Sequence, residues 1–460
     1  MKLLITGNPA PQFADALAAA CDHDVSVFAG DVRDAETVKS VLAGRDALIY
    51  FAPNDLDAAT RGTFNLMTAA DECGVGRVLL GSTLAFFQRH PAAWNVDSSW
   101  RPRPTPDLAE LCPWLAELSV REVVRVASRL RHGVCLRLGQ GVNAEDAARA
   151  FADALAAPLP SDGERTWRIV HAGEIVGQPG EETARPWRDV FAPAAPVPSR
   201  PIRRVVVFGA GGPVAAATAD ELARAGYVLR LTDLRPLADI ARENKPQSPG
   251  APVARPLGPP HESVIVDVRD PDQVRAACEG MDAIINCSVV RPDPVEAFRV
   301  NTLGAYNVAR AAVACGIRRI VHTGPQLLAL HSRNNYSWDY DVPGNAPARP
   351  GLHLYGHSKY LGQEICRVFA DYHDLEVPVL LFSQFVNPDV AGQRLYPMVV
   401  SWNDTARVLR AALEVPALPS PYEEIHVTAD VPHGRFSGSR AKELLGWEAS
   451  DGLESLWRRV

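Results

Sequence analysis

The chain has 460 residues, 47% hydrophobic and 22% charged, which is enough apolar material for two or three cores and excludes a disordered or collagen-like chain. Its 47 basic and 54 acidic residues leave a formal charge of −7 without any basic block, which argues against a nucleic-acid partner. No apolar run approaches the ~20 residues that span a bilayer, and the opening MKLLITGNPAP passes from an apolar strand straight into a turn, unlike a signal peptide. Eight cysteines form no Cys-x-x-Cys pair, and most sit inside apolar periodic segments. They read as reduced packing residues of a cytoplasmic protein, and neither they nor the histidines show metal-ligand spacing.

In chain order, short β-branched runs alternate with amphipathic segments, the pattern of βαβ units and a parallel sheet. The first strands expected are KLLITG, DVSVFAGDV, DALIYFAP, RVLLGST and VCLRLGQ. The proline-rich run from 176 to 202 denies both helix and central strand and is expected to be a linker. Beyond it the strands read RRVVVFG, VLRLTD, ESVIVDV, DAIINCS, RRIVHTG and VPVLLFS, with a loop-like insertion over 244–263.

The two halves repeat one another. Asp31-Val32-Arg33-Asp34 matches Asp267-Val268-Arg269-Asp270, and Asp46-Ala47 matches Asp282-Ala283 at the same spacing. Further on, RGTFNLMTAADECGVGRVLL matches LGAYNVARAAVACGIRRIVH. The expected fold class is α/β: two tandem Rossmann-like doubly wound parallel-sheet domains, the first degenerate. The expected domains are residues 1–175 and 203–460, joined by the 176–202 linker.

After RRVVVFG comes Gly209-Ala210-Gly211-Gly212-Pro213-Val214-Ala215, opening into a helix. Glycines there let the backbone approach a pyrophosphate, and the helix N-terminus offers N–H donors. Asp233, at the end of the next strand, is placed to take the ribose hydroxyls of NAD and repel the extra phosphate of NADP. Arg235 suits that phosphate instead, so NAD is favoured with NADP kept as the alternative. Asp267 and Val268 stand where the adenine ring would be met. The first half keeps only Gly7, puts Phe13 where a small residue is needed and lacks the strand carrying the ribose acid, so it is not expected to bind a dinucleotide.

Tyr355-Gly356-His357-Ser358-Lys359 is the second signal. Positions i and i+4 share a helix face, and an ammonium beside a phenol lowers its pKa toward proton exchange near neutrality. Lysine is scarce, five of 47 basic residues, although an exposed helix pair is the plainer alternative.

The fingerprint, Asp233, Asp267-Val268, Asn301 and Tyr-x-x-x-Lys together resemble the extended short-chain dehydrogenase/reductases, the NAD-dependent epimerase/dehydratase family. Within it, LRLTDLRPL, ARPGLHLYGHSKYLGQ and RLYPMVVSWND are similar to the compact uronate dehydrogenases. The resemblance covers 203–460, and 1–175 in degraded form. It implies NAD use and hydride chemistry with Tyr355 as acid/base and Lys359 tuning it and holding the nicotinamide ribose. It also implies a carboxylate grip for Arg394, a surface arginine being the blander reading.

Two departures from the family follow. Its serine positions hold Gly324 and Pro325, leaving Thr323 as the nearest hydroxyl; losing such a donor costs ~10²–10³-fold in rate. Only about 20 residues separate Ser383 from the helix near Asp404, too few to wall in a nucleotide-sugar, so a small sugar or sugar acid fits better. Two readings stay open: an NAD-dependent oxidoreductase or epimerase, and an NAD-binding pseudoenzyme or structural protein. The family dimerises through two long helices per subunit, and both halves keep apolar periodicity there (294–315 and the Tyr355 helix; 57–74 and 107–128). An intramolecular pseudo-dimer in a monomeric chain is therefore expected.

Overall fold

A computed structural model describes residues 1–90, 96, 98–139, 141–158, 165–173, 201–326, 342, 346–390, 398–431 and 437–453. The chain divides into two units, Met1–Val197 and Pro198–Val460; the expected linker lies almost wholly outside the described residues.

In the first unit, β1 (Lys2–Gly7), α1 (Phe13–Ala20), β2 (Asp24–Phe28), α2 (Ala35–Leu42), β3 (Ala47–Phe51) and α3 (Thr63–Cys73) are followed by β4 (Arg77–Thr83), α4 (Leu108–Val126), β5 (His132–Leu138), α5 (Ala144–Ala156) and β6 (Thr166–Ala172). The six strands are all parallel in the order β2-β1-β3-β4-β5-β6.

The second unit runs β7 (Arg204–Phe208), α6 (Pro213–Arg224), β8 (Val228–Asp233), α7 (Leu237–Glu243), β9 (Glu262–Ile265), α8 (Pro271–Cys278) and β10 (Ala283–Asn286). It continues through α9 (Pro294–Phe298), α10 (Gly304–Cys315), β11 (Arg319–Pro325), α11 (Leu354–Tyr372), β12 (Val377–Phe382), β13 (Gln384–Val386), β14 (Val399–Ser401), α12 (Trp402–Glu414), β15 (Tyr422–His426) and α13 (Ser439–Leu445). Seven strands form a parallel sheet, β9-β8-β7-β10-β11-β12-β15, with β13 and β14 paired separately. The strand order reverses between β7 and β10, and such a switch point opens a crevice at the carboxyl ends of the strands.

The units are built by the same local devices. Asp34 and Asp270 cap α2 and α8 by accepting backbone N–H bonds in the first turn. A π-helical turn, Ala58–Gly62 or Arg299–Leu303, leads into α3 or α10, and each of those helices ends on a left-handed glycine, Gly74 or Gly316. Buried Arg77 and Arg319, at the starts of β4 and β11, donate to three terminal carbonyls of α5 and α12. The first sheet has β2 alone beyond β1, where the second has both β8 and β9. Strands β2 and β9 stop before the Asp-Val-Arg-Asp repeat, because Arg33 and Arg269 fold back onto Asp31 and Asp267.

Phe13 is the first residue of α1. It is buried and packs edge-on against Phe51 and Phe151. Its counterpart Ala215 is also buried.

Candidate functional site

Two glycines of the turn after β7, Gly209 and Gly211, have no room for a side chain. Gly209 has φ +74°, and a Cβ there would lie 2.8 Å from the Cys287 carbonyl carbon and the Ser288 nitrogen, at the end of β10. A Cβ on Gly211 would lie 2.8 Å from Asp233 Oδ2, the atom that accepts the Gly211 N–H at 2.8 Å. Gly212 then caps α6, with Pro213 as its first residue. This bare cradle, with a carboxylate at its rim and a twelve-residue helix opening from it, fits a dinucleotide. Arg235 pairs with Glu243. Asp267 is gripped by Arg269, whose guanidinium holds the carboxyl below its ordinary range.

Tyr355 and Lys359 stand in the first turns of α11, at the carboxyl edge of the sheet. The cation against the phenol is Arg291, its guanidinium carbon 5.2 Å from the ring centroid. Burial pushes the phenol pKa up, and Arg291 pulls the other way. Lys359 is 1% exposed, and burial pushes its ammonium down to about 8. Its Nζ lies 3.4 Å from Nε2 of buried His322. Asn301 ties the neighbourhood together: its amide donates to Ser358 Oγ and the Val290 carbonyl while its oxygen takes the Val290 N–H. Gly362 lets α11 press on that turn, since a Cβ there would sit 2.1 Å from the Asn301 carbonyl oxygen.

At the serine positions, Thr323 donates its hydroxyl to the Asn286 carbonyl at 3.0 Å. Alternation along β11 points it to the face opposite His322. Gly324 faces α11, and the Gln363 amide fills the space of its missing side chain: a Cβ would meet Nε2 at 1.9 Å. The first unit keeps both groups. Ser82, paired with Arg137 as Gly324 is with Leu381, donates to Glu117 at 2.5 Å, and buried Arg137 grips the same carboxylate. Sequence reasoning missed His322 and Arg291 as neighbours of the Tyr/Lys pair; neither belongs to a recognisable spacing. Arg394, with Tyr336, Trp338 and Tyr340, lies outside the described residues.

The profile of the NAD dependent epimerase/dehydratase family matches residues 205–403. The second unit belongs to that family. An NAD(P)H-binding profile matches residues 12–105, beginning after the Gly7 turn, so two NAD(P)-binding family domains lie in tandem. The chain is similar to the uronate dehydrogenase of Pseudomonas putida, 28% identical over 222 residues, 47% of this chain and 74% of that one. It is similar also to the L-arabinose 1-dehydrogenase (NAD(P)(+)) of Haloferax volcanii, 28% identical over 240 residues, 47% of this chain and 85% of that one. Among solved structures, uronate dehydrogenase from Agrobacterium tumefaciens is 25% identical with a TM-score of 0.43, covering 55% of this chain and 86% of that one.

Proposed function

We propose that the second unit is an NAD-dependent oxidoreductase acting on a small sugar or sugar acid. The observations that support this are the Gly209–Gly212 turn with its Asp233 clasp after β7 and, at the start of α11, Tyr355 under the Arg291 guanidinium. The kinship with uronate and arabinose dehydrogenases supports the substrate class. NAD, when bound, supplies the hydride acceptor. Gly209, Gly211, Gly212 and Asp233 would hold its pyrophosphate and ribose, and Asp267 and Val268 would border its adenine. Asp233 favours NAD over NADP, because Arg235 is already paired with Glu243.

Tyr355 takes or gives the proton of the substrate hydroxyl, with Lys359 behind it. Thr323, bound to the Asn286 carbonyl on the face of β11 away from α11, would serve as the polarising hydroxyl only if the end of β11 rearranged, and Arg394 meets a substrate carboxylate. The protein works as a monomer in the cytoplasm, where its eight cysteines, all free, suit a reducing compartment. The test is a panel of pentoses, hexoses and uronic acids with NAD. At least one should raise NADH absorbance, and Tyr355→Phe should abolish the rise. Asp233→Ala should weaken NAD more than NADP.

A second reading, an NAD-binding pseudoenzyme, is favoured by Gln363 lying in the serine's place. A panel that stays flat while NAD binds tightly selects it.

A further inference from the structure

Beside the ribose acid stands a pair of charges that the hydride chemistry does not use: Arg235, two residues past Asp233, and Glu243, the last residue of α7. The backbone sets where Arg235 starts. Asp233 Oδ1 accepts the Arg235 N–H at 3.2 Å while Oδ2 accepts that of Gly211, so the arginine leaves the main chain at the rim of the glycine turn. Helix α7 is fixed to the same turn, since a Cβ on Gly211 would lie 2.7 Å from Ile240 Cδ1. Glu243 is three residues on from Ile240, and positions so spaced are neighbours on one helix face. The pair therefore lies along the side of α7 that borders the cofactor turn.

Stability does not account for the pair. An acidic side chain in the last turn of a helix faces the negative end of the peptide dipoles, so Glu243 does not serve α7. The other acid of α7, Asp239, is taken by Arg242 at 3.0 Å. Arg235 and Glu243 are both about half exposed, and exposed ion pairs contribute little to folding. Their effect is on direction. Helix α7 is seven residues, about 10 Å, long, and the pairing draws the guanidinium along it toward its far end. An arginine near the ribose acid can take the 2′-phosphate that distinguishes NADP from NAD, through charge-assisted N–H···O bonds. Turned to Glu243, it already holds a carboxylate, which adds a second negative charge to the rim that carries Asp233. The first unit is the internal comparison: counting on from the paired Phe28 and Thr232, it has Ala29 and Asp31 where the second has Asp233 and Arg235.

We propose that Glu243 is a specificity-determining residue of the cofactor site: by holding Arg235 it keeps a 2′-phosphate subsite closed, and the preference for NAD rests on this acid as well as on Asp233. The proposal rests on the reading of the second unit as an NAD-binding one and deepens its cofactor choice; it does not depend on which sugar is oxidised.

Binding titrations on the full chain, with NADH and NADPH followed by nicotinamide fluorescence, test it without turnover. The wild type should bind NADH the more tightly. Glu243→Ala should tighten NADPH about fivefold, the scale of one exposed charge contact, and leave NADH within about twofold. Arg235→Ala alone should move neither nucleotide by more than about twofold, because its guanidinium is engaged elsewhere. In the variant carrying both substitutions the gain for NADPH should vanish. Adenosine 2′,5′-bisphosphate, measured by displacement of NADH, should follow the NADPH pattern, since it carries the phosphate without the nicotinamide. An NADPH affinity unmoved in Glu243→Ala overturns the proposal, as does a gain that persists without Arg235. A loss of NADPH binding in Arg235→Ala also overturns it, because an arginine already on the phosphate was never withheld. So does a wild type that takes NADPH as tightly as NADH. A sugar panel without turnover removes the oxidoreductase reading and leaves these titrations intact, whereas a wild type that binds neither nucleotide overturns the cofactor reading and the proposal together.

Discussion

Lys359 is a basic group folded into an almost dry place, and the cost appears as a pH dependence of stability. Its folded pKa, about 8, lies below the ordinary 10.5. Below pH 8 both folded and unfolded states carry the proton, and the folded state bears the full desolvation penalty. As pH rises from 8 toward 10.5 the folded state releases its proton first, so stability climbs. Lys359→Met should therefore be more stable than the parent at pH 7, by up to ~3 kcal/mol. The advantage should shrink by pH 9.5 in urea titrations; a constant difference across that range would remove the buried-ammonium account. Gly324 carries a prediction of the opposite sign. Any side chain there displaces the Gln363 amide and meets a Leu381 methyl at 2.7 Å. Gly324→Ala should cost ~1–3 kcal/mol by overpacking, and adding Gln363→Ala should recover part of it in a double-mutant cycle.

At the scale of elements, α11 owes its start to an unusual cap. His353 Nδ1 accepts the Gly356 N–H at 3.1 Å, which requires an unprotonated nitrogen, and burial lowers the His353 pKa below 6.5. The folded state resists a proton that the unfolded chain accepts, so this cap contributes above pH 6.5 and is lost as pH falls through the lower folded value. His353→Asp, a capping group over the whole range, should flatten the loss of melting temperature between pH 7 and 5. An unchanged slope would show that the cap carries no such dependence. Arg319 ties three carbonyls at the end of α12 to the start of β11. Arg319→Ala should cost ~2–3 kcal/mol by leaving buried acceptors unpaired, measured by chemical denaturation. Most elements were legible from the chain, because central strands such as ALIYF and VPVLLF are apolar throughout. Strand β15, YEEIH, was not read. Its glutamates hide a half-buried strand: Glu424 is met by Tyr422 of the same strand and Glu423 by Arg440 of α13. The glycine turn and the Tyr/Lys pair were legible because their spacing is local. The contacts of His322 and Arg291 were not, since their partners lie on other elements and only folding brings them together.

On the scale of the whole molecule, one plan has been filled in two ways. Where the second unit has a buried polar line from Asn286 through His322 to Lys359 and an amide at the serine position, the first has an aromatic cluster under its turn and a buried Ser82–Glu117–Arg137 network. That network is locked: taking away Arg137 would leave Glu117 charged and unpaired in the interior, a change worth 3–5 kcal/mol in comparable buried pairs. Nothing in it resembles the bare cradle at Gly209–Gly212, and at the position of Asp233, one residue past the Phe208–Thr232 pair, the first unit has Ala29, one past the Thr6–Phe28 pair. The chain should accordingly bind a single equivalent of NAD(H). Calorimetric titration decides this when paired with Gly211→Val, whose side chain would collide with the Asp233 carboxylate and Ile240. If the second unit holds the sole site, the stoichiometry falls from about one to zero with the fold intact by circular dichroism. A wild-type stoichiometry of two, or a variant that still takes up one equivalent, would place a working site in the first unit and end the division of labour argued for here.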